Sequence, residues 1–170
     1  MGEIKSTLDL IMERTKNLSM SPEEKEENKR QEWLKKARGW IQKFLDDQID
    51  IKKLKIELLE KDPHGEGGKL LRKELIEGLD PQGDNQKRWH IMDKLLNISL
   101  DPFLDVLASY NQKVNLSKIE QTDLLLKELA AQGLSGSALI PNLDGHSSWK
   151  AFLNQETQTC REQWRALRDN

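Results

Sequence analysis

The residues best placed to do chemistry in this chain fall into four sets. The first is acidic. Glu23-Glu24-Lys25-Glu26-Glu27 sets Glu24 and Glu27 three residues apart, and Glu57-Leu58-Leu59-Glu60 repeats that spacing. On a helix such carboxylates share a face, and two facing pairs would offer the several hard oxygen ligands that Mg²⁺ needs. The second set is His64, His90 and His146. A helical di-iron site wants a glutamate three residues before a histidine, but those positions hold Lys61, Lys87 and Leu143. His90 with Asp93, and His64 with Asp62 and Glu66, are partial ligand sets that fit surface and turn positions better. The third set is cationic. Lys87-Arg88-Trp89-His90 mixes cations with an aromatic, and Arg161, Arg165 and Arg168 line one face of a terminal helix, so either group could grip phosphates. The fourth is Cys160, whose solitude rules out an intramolecular disulfide and a multi-cysteine metal site.

Each set also has a plain structural reading. Carboxylates directly after Ser21-Pro22 complement a helix dipole, and cations in a helix's last turns complement its other pole. Trp89 suits a core anchor, and Cys160 lies on an apolar stripe as a small core residue. Gly65-Glu66-Gly67-Gly68-Lys69 is no phosphate loop, because a Walker A motif needs four residues between its glycines and Ser or Thr after the lysine. Gly133-Leu134-Ser135-Gly136-Ser137 misses G-x-S-x-G in the same way. Glu24 and Glu27, extended by Glu23, resemble half of the carboxylate signature of the all-helical MazG-like nucleotide pyrophosphohydrolases. The resemblance implies two acidic clusters on neighbouring helices holding Mg²⁺. The second cluster should then read E-x-x-D, and Glu57 to Glu60 puts glutamate in the aspartate's place. No ligand set is complete, so neither a cofactor nor a metal is expected. With 27 basic and 29 acidic residues the whole-chain field gives no pull towards nucleic acid.

The elements that must position these residues are helices. From Ser21 to Asp46, Trp33, Ala37, Trp40 and Phe44 recur at steps of four, three and four, with Leu34, Ile41 and Leu45 in an adjoining row. Ser21 is a natural cap and Pro22 suits the first helical position, so one helix of about 24 residues, roughly 36 Å long, is predicted. Residues 49–59 read both ways, since Ile51, Leu54 and Leu58 make a helical face while Ile49, Ile51, Ile56 and Leu58 alternate; flanking Lys and Glu favour helix. Asp62-Pro63, Asp80-Pro81 and Asp101-Pro102 punctuate short helices over about 68–79, 85–97 and 102–113. Ser117 and Glu120 form a capping-box pattern that opens a helix to Gln132, with Gly133 as its C-terminal cap. The irregular stretch LSGSALIPNLDGHSS is pinned by Leu139, Ile140 and Leu143. A last helix from about Ser148 carries Trp149, Leu153, Cys160, Trp164 and Leu167 along one stripe.

Residues 3 to 18 are a further amphipathic segment in which Ile4, Leu8, Ile11, Met12 and Thr15 share a face. An isolated helix of that length is marginal in water, so this one must dock on its own body or on another chain. Gly2-Glu3-Ile4-Lys5-Ser6-Thr7-Leu8-Asp9-Leu10, with Met12-Glu13-Arg14-Thr15-Lys16, resembles the start of small bacterial proteins without assigned function, which implies a bacterial cytoplasmic protein. Met1-Gly2-Glu3-Ile4-Lys5-Ser6 also fits the bare N-myristoylation pattern, but no polybasic patch accompanies it. No apolar run approaches the ~18 residues of a membrane span, and no signal-peptide core is present, so neither a membrane nor export is expected. The predicted fold is all-α, an irregular bundle of about eight helices, with residues 1–20 as a docking arm and 21–170 as one helical domain. The predicted role is a non-catalytic interaction or structural protein acting through that arm, on another protein or on itself as a homodimer. Two further classes are a metal-dependent hydrolase, if Glu57 and Glu60 face Glu24 and Glu27, and a phosphate- or RNA-binding module, if the 87–88 and 161–168 cations share a surface.

Overall fold

A computed structural model describes residues 21–61, 66–136 and 138–169, together with Ile11. Six α-helices run through these residues: α1 Pro22–Leu45, α2 Ile51–Lys61, α3 Glu66–Glu77, α4 Gln86–Lys94, α5 Asp101–Ala131 and α6 Ser147–Ala166. Short 3₁₀ turns at Leu143–Gly145 and Leu167–Asp169 flank α6, and no strand is present among the described residues. The ambiguous stretch after Asp50 is therefore helix.

α1 starts as its sequence dictates. The Glu24 amide donates to Ser21 Oγ at 3.2 Å while Glu24 Oε2 accepts from the Ser21 amide at 2.8 Å, a reciprocal cap that satisfies two otherwise open donors. Ala37, Trp40 and Ile41 are buried further along. α1 lies along α3 in the same direction: the Trp33 indole covers Gly67, where a Cβ would fall inside the ring, and Arg38 reaches Glu74. α5 and α6 form an antiparallel pair. Trp164 Nε1 donates to the Phe103 carbonyl at 3.0 Å, Tyr110 meets Thr157, and Lys113 meets Glu156.

One apolar core draws from all six helices, including Ala37, Leu54, Leu75, Ile91, Phe103 and Trp164. Trp164, with no exposed surface, is its largest fully buried side chain. Trp89 packs edge-on to Trp164 at 5.9 Å and tilted to Phe103 at 6.0 Å, so it is the core anchor its sequence position allowed. Leu143 and Trp149 are buried outside that core, with Trp149 stacked on Phe152 at 5.6 Å.

Two expectations change here. The bundle shows six helices rather than about eight. Of that expected set, residues 3–18 lie outside the described residues except for Ile11, and the two helices expected at 102–113 and 117–132 are one. Val114-Asn115-Leu116 holds neither Gly nor Pro, so nothing breaks the ladder. Ser117 is interior rather than a cap, and Thr122 Oγ1 donates back to the Lys118 carbonyl at 2.7 Å. α5 is thus 31 residues long, roughly 46 Å at 1.5 Å per residue. Gly133 does end it as expected: at φ +81° it lets the Leu134 amide reach the Leu129 carbonyl at 2.9 Å.

Candidate functional site

Three of the cations singled out by sequence, Arg88, Arg161 and Arg165, converge with a fourth guanidinium, Arg38, on the C-terminal end of α3. From α1, Arg38 forms a two-pronged pair with Glu74, Nε–Oε2 at 2.6 Å and Nη2–Oε1 at 2.9 Å. From α6, Arg165 grips Glu77 through Nε and Nη2 at 3.0 and 2.9 Å, and Arg161 Nη2 reaches Asp80 Oδ1 at 3.3 Å. From α4, Arg88 stacks its guanidinium so closely over Gly78 that a Cβ there would lie 2.7 Å from Nε. The C-terminal pole of α3 favours cations, and its own carboxylates add to that pull. Glu74 holds the Arg38 guanidinium above its ordinary pKa by hydrogen bonding and by charge.

Arg88 is the exception within this cluster. It is half-buried, its Nε is shut off from solvent without an acceptor, and burial pushes its pKa down. Arg161 Nε is also unsatisfied, but that side chain has Asp80. A pocket of about 260 Å³ opens beside Arg88, lined also by Arg38, Gln42, Glu74, Glu77 and Gly78. The neighbouring Lys87 points elsewhere: its Nζ donates to the Leu45 carbonyl at 2.5 Å and to Asp47 at 2.7 Å, closing the end of α1. Arg168, in the last 3₁₀ turn, is also engaged.

The first acidic pair lies on the exposed start of α1. Glu24 is held in its cap and Glu27 accepts from Gln31 at 2.7 Å, both on an exposed turn. Trp33 over Gly67 marks the level of the α2–α3 connection, so Glu24 stands roughly 14 Å further out along α1. Glu57 lies on α2, and the Glu60 side chain lies outside the described residues. Among the described residues no group of three or more His, Cys, Asp or Glu could hold a metal ion. His90 stacks on Phe44 at 6.0 Å, His146 is exposed, and His64 is outside the described residues. Cys160 is buried, and desolvation raises its pKa to about 11.

A larger open cleft, about 690 Å³, lies between α5, the returning loop and the start of α6. Tyr110, Asn111, Asn142 and Trp149 are among its lining, and the charges among its described lining are Lys118 and Asp144. The remaining feature is apolar. α5 buries Phe103 and Tyr110 and nothing after them, while Leu116, Ile119 and Leu124 are more than half exposed. Ile140, on the returning loop, is 90% exposed. Of the arm residues, Ile11 is helical and 55% exposed, and Ile4, Leu8 and Met12 lie outside the described residues.

Sequence reasoning missed Arg38, Glu74, Glu77 and Asp80, because their pairings span 36 to 88 residues and no local spacing announces them. The outer apolar residues of α5 did carry a signal, since Leu124 and Leu129 lie off the stripe of Leu116, Ile119 and Leu126, and together they cover more of the helix than one buried face would need. No helix among the described residues is long and apolar enough to cross a membrane. Compared with protein-family models, curated proteins and solved structures, the chain matches none of them.

Proposed function

We propose that this chain is a non-catalytic helical interaction protein whose partner is a second copy of itself. The observation that carries the reading is the outer face of α5. Phe103, Tyr110 and Val114 turn towards the core, whereas Leu116, Ile119, Leu126 and Ala130 recur at steps of three, seven and four on the opposite side. Large apolar side chains on an unburied helical stripe mark an association surface rather than ordinary scatter. The flanking charges select a copy running antiparallel. Glu120 and Lys127 lie on the same flank seven residues apart, so a two-fold axis between them sets each against the other's counterpart in both directions. Asp123 is the one charge within the stripe. In this reading the segment around Ile4, Leu8, Ile11 and Met12 is a second apolar surface that adds to the same assembly.

The test is the mass of the full chain in solution by sedimentation, beside Leu116→Glu with Ile119→Glu and beside a chain lacking residues 1–20. A dimer that becomes a folded monomer in the α5 double variant supports the reading. A dimer lost only in the truncated chain would assign the interface to the arm instead. A wild-type monomer at all concentrations would end the proposal.

A further inference from the structure

The cleft between α5, the returning loop and the start of α6 supports an inference independent of self-association: we infer that it takes an extended, uncharged segment of another protein and holds it by its backbone. Asn111, Asn115, Lys118 and Thr122 all line the cleft and recur along α5 at steps of four, three and four. That spacing sets them in one row, roughly 16 Å long at 1.5 Å per residue. The row lies beside the apolar stripe of Leu116 and Ile119, not on it. Pro141 and Leu143 on the loop, with Leu153 on α6, stand across from it. A groove of that length has room for about five extended residues at ~3.3 Å each.

The chemistry of the lining selects the occupant. Asn111 and Asn115 are exposed, and their side chains pair with nothing among the described residues. Each primary amide offers both donors and an acceptor, which match the C=O and N–H that one residue of an extended chain turns to the same edge. The two amides stand one helical turn apart, roughly 6 Å along the axis. An extended chain presents the same edge again after two residues, about 6.6 Å, so the pair can serve alternate residues of one segment. Lys118 and Asp144 offset each other, which gives a charged occupant no net attraction. A sugar or other flat ring wants an open aromatic face to lie on, but Tyr110 and Trp149 are only 5% and 4% exposed. Gln82 is engaged as well, donating to Thr157 Oγ1 at 2.9 Å. What stays open beside the amides is apolar, since Ile140 on the rim is 90% exposed. A segment laid along α5 sets its backbone edge on Asn111 and Asn115 and an apolar side chain over Ile140.

The experiment titrates the full chain with a blocked hexapeptide of alternating serine and leucine, with the same peptide N-methylated at every residue, and with glucose. It reads the side-chain amide resonances of Asn111 and Asn115 by NMR. Saturable movement of both is expected with the parent peptide, and none with the N-methylated one, whose backbone has no N–H left to donate. Equal movement with the two peptides would mean that leucine alone is recognised, and it overturns the inference. No saturation with the parent peptide, or saturation with glucose in its place, overturns it too. Asn111→Ala and Asn115→Ala should each weaken peptide binding about tenfold, the loss expected for two hydrogen bonds, read on the amide that remains. Alanine favours helix at such exposed positions, so α5 stays folded in both variants. Wild-type affinity in both would remove the backbone contact and the inference with it.

Discussion

The base of the molecule and the outer half of α5 are both helix, but different forces hold them. At the base, tryptophans from three helices meet in one core, and ion pairs join α1, α3 and α6 around its rim. Along outer α5 the helix continues for some twenty residues after its last buried side chain, Tyr110, and shows leucines and an isoleucine to solvent. Helix formation there rests more on unbroken local propensity and on the cap at Gly133 than on burial. Packing fixes the base; outer α5 keeps an apolar surface in reserve.

The largest effect expected from this contrast lies at Trp164. Trp164→Ala removes a ring with no exposed surface and the indole's hydrogen bond to the Phe103 carbonyl, so it should cost about 3–5 kcal/mol. Urea unfolding followed by circular dichroism measures it. A loss below about 1 kcal/mol would mean that the base does not close on this residue.

Cys160 tests the same core through pH. Its thiol keeps its proton to about 11 in the folded state, against an ordinary value of 9.0, because burial disfavours the thiolate. Between those values the unfolded chain binds fewer protons than the folded one, so stability must fall as pH rises. The contribution is complete below about pH 9 and gone above about 11. At ~1.4 kcal/mol per pH unit the difference is about 2–3 kcal/mol. Other groups titrate in this window, so the readout is the fall in urea stability from pH 8 to pH 11 in the wild type minus that in Cys160→Ala. Equal falls would place the thiol in contact with water.

How much of this was legible in the sequence depends on the range of the interaction. The α1 cap, the Trp40 and Trp164 stripes and the Gly133 stop are written in residues a few positions apart, and the structure shows each of them. The boundary expected at Ser117 failed for a physical reason. A serine followed three residues later by glutamate caps a helix only where the ladder is already interrupted, and Val114-Asn115-Leu116 does not interrupt it. Of the arginine cluster, Arg88 and the Arg161–Arg165 face were legible in the sequence, and Arg38 was not. Their meeting at Gly78 depends on how α1, α4 and α6 stack on α3, which is tertiary information. Lys87 and Arg88, adjacent in sequence, part company completely: one closes α1 and the other lines a pocket.

A smaller effect belongs to the exposed start of α1. Ser21→Ala opens the cap and should cost about 1 kcal/mol, within the ~0.5–2 kcal/mol usual for caps. The loss should appear as faster amide exchange over the first turns rather than throughout the chain. If the whole chain lost protection equally, the exposed turns of α1 would be coupled to the base, and the division between the two kinds of helix would not hold there.

The smallest effect on stability is expected where the largest effect on association should be. Leu116→Gln removes an exposed apolar side chain without touching the core, so the unfolding free energy of the monomer should change by no more than ~0.5 kcal/mol. Association should weaken clearly in the same variant, because the stripe loses a large apolar side chain that is more than half exposed. Asp123→Asn supplies the opposite sign: it removes the charge in the middle of the stripe and should tighten the assembly without altering the monomer. The measurement is the concentration dependence of sedimentation for wild type and both variants. Opposite shifts in dissociation constant, at constant monomer stability, would separate surface from scaffold on outer α5. A stability loss in Leu116→Gln comparable to a core substitution would instead mean that Leu116 is covered within the monomer, and outer α5 would then belong with the base.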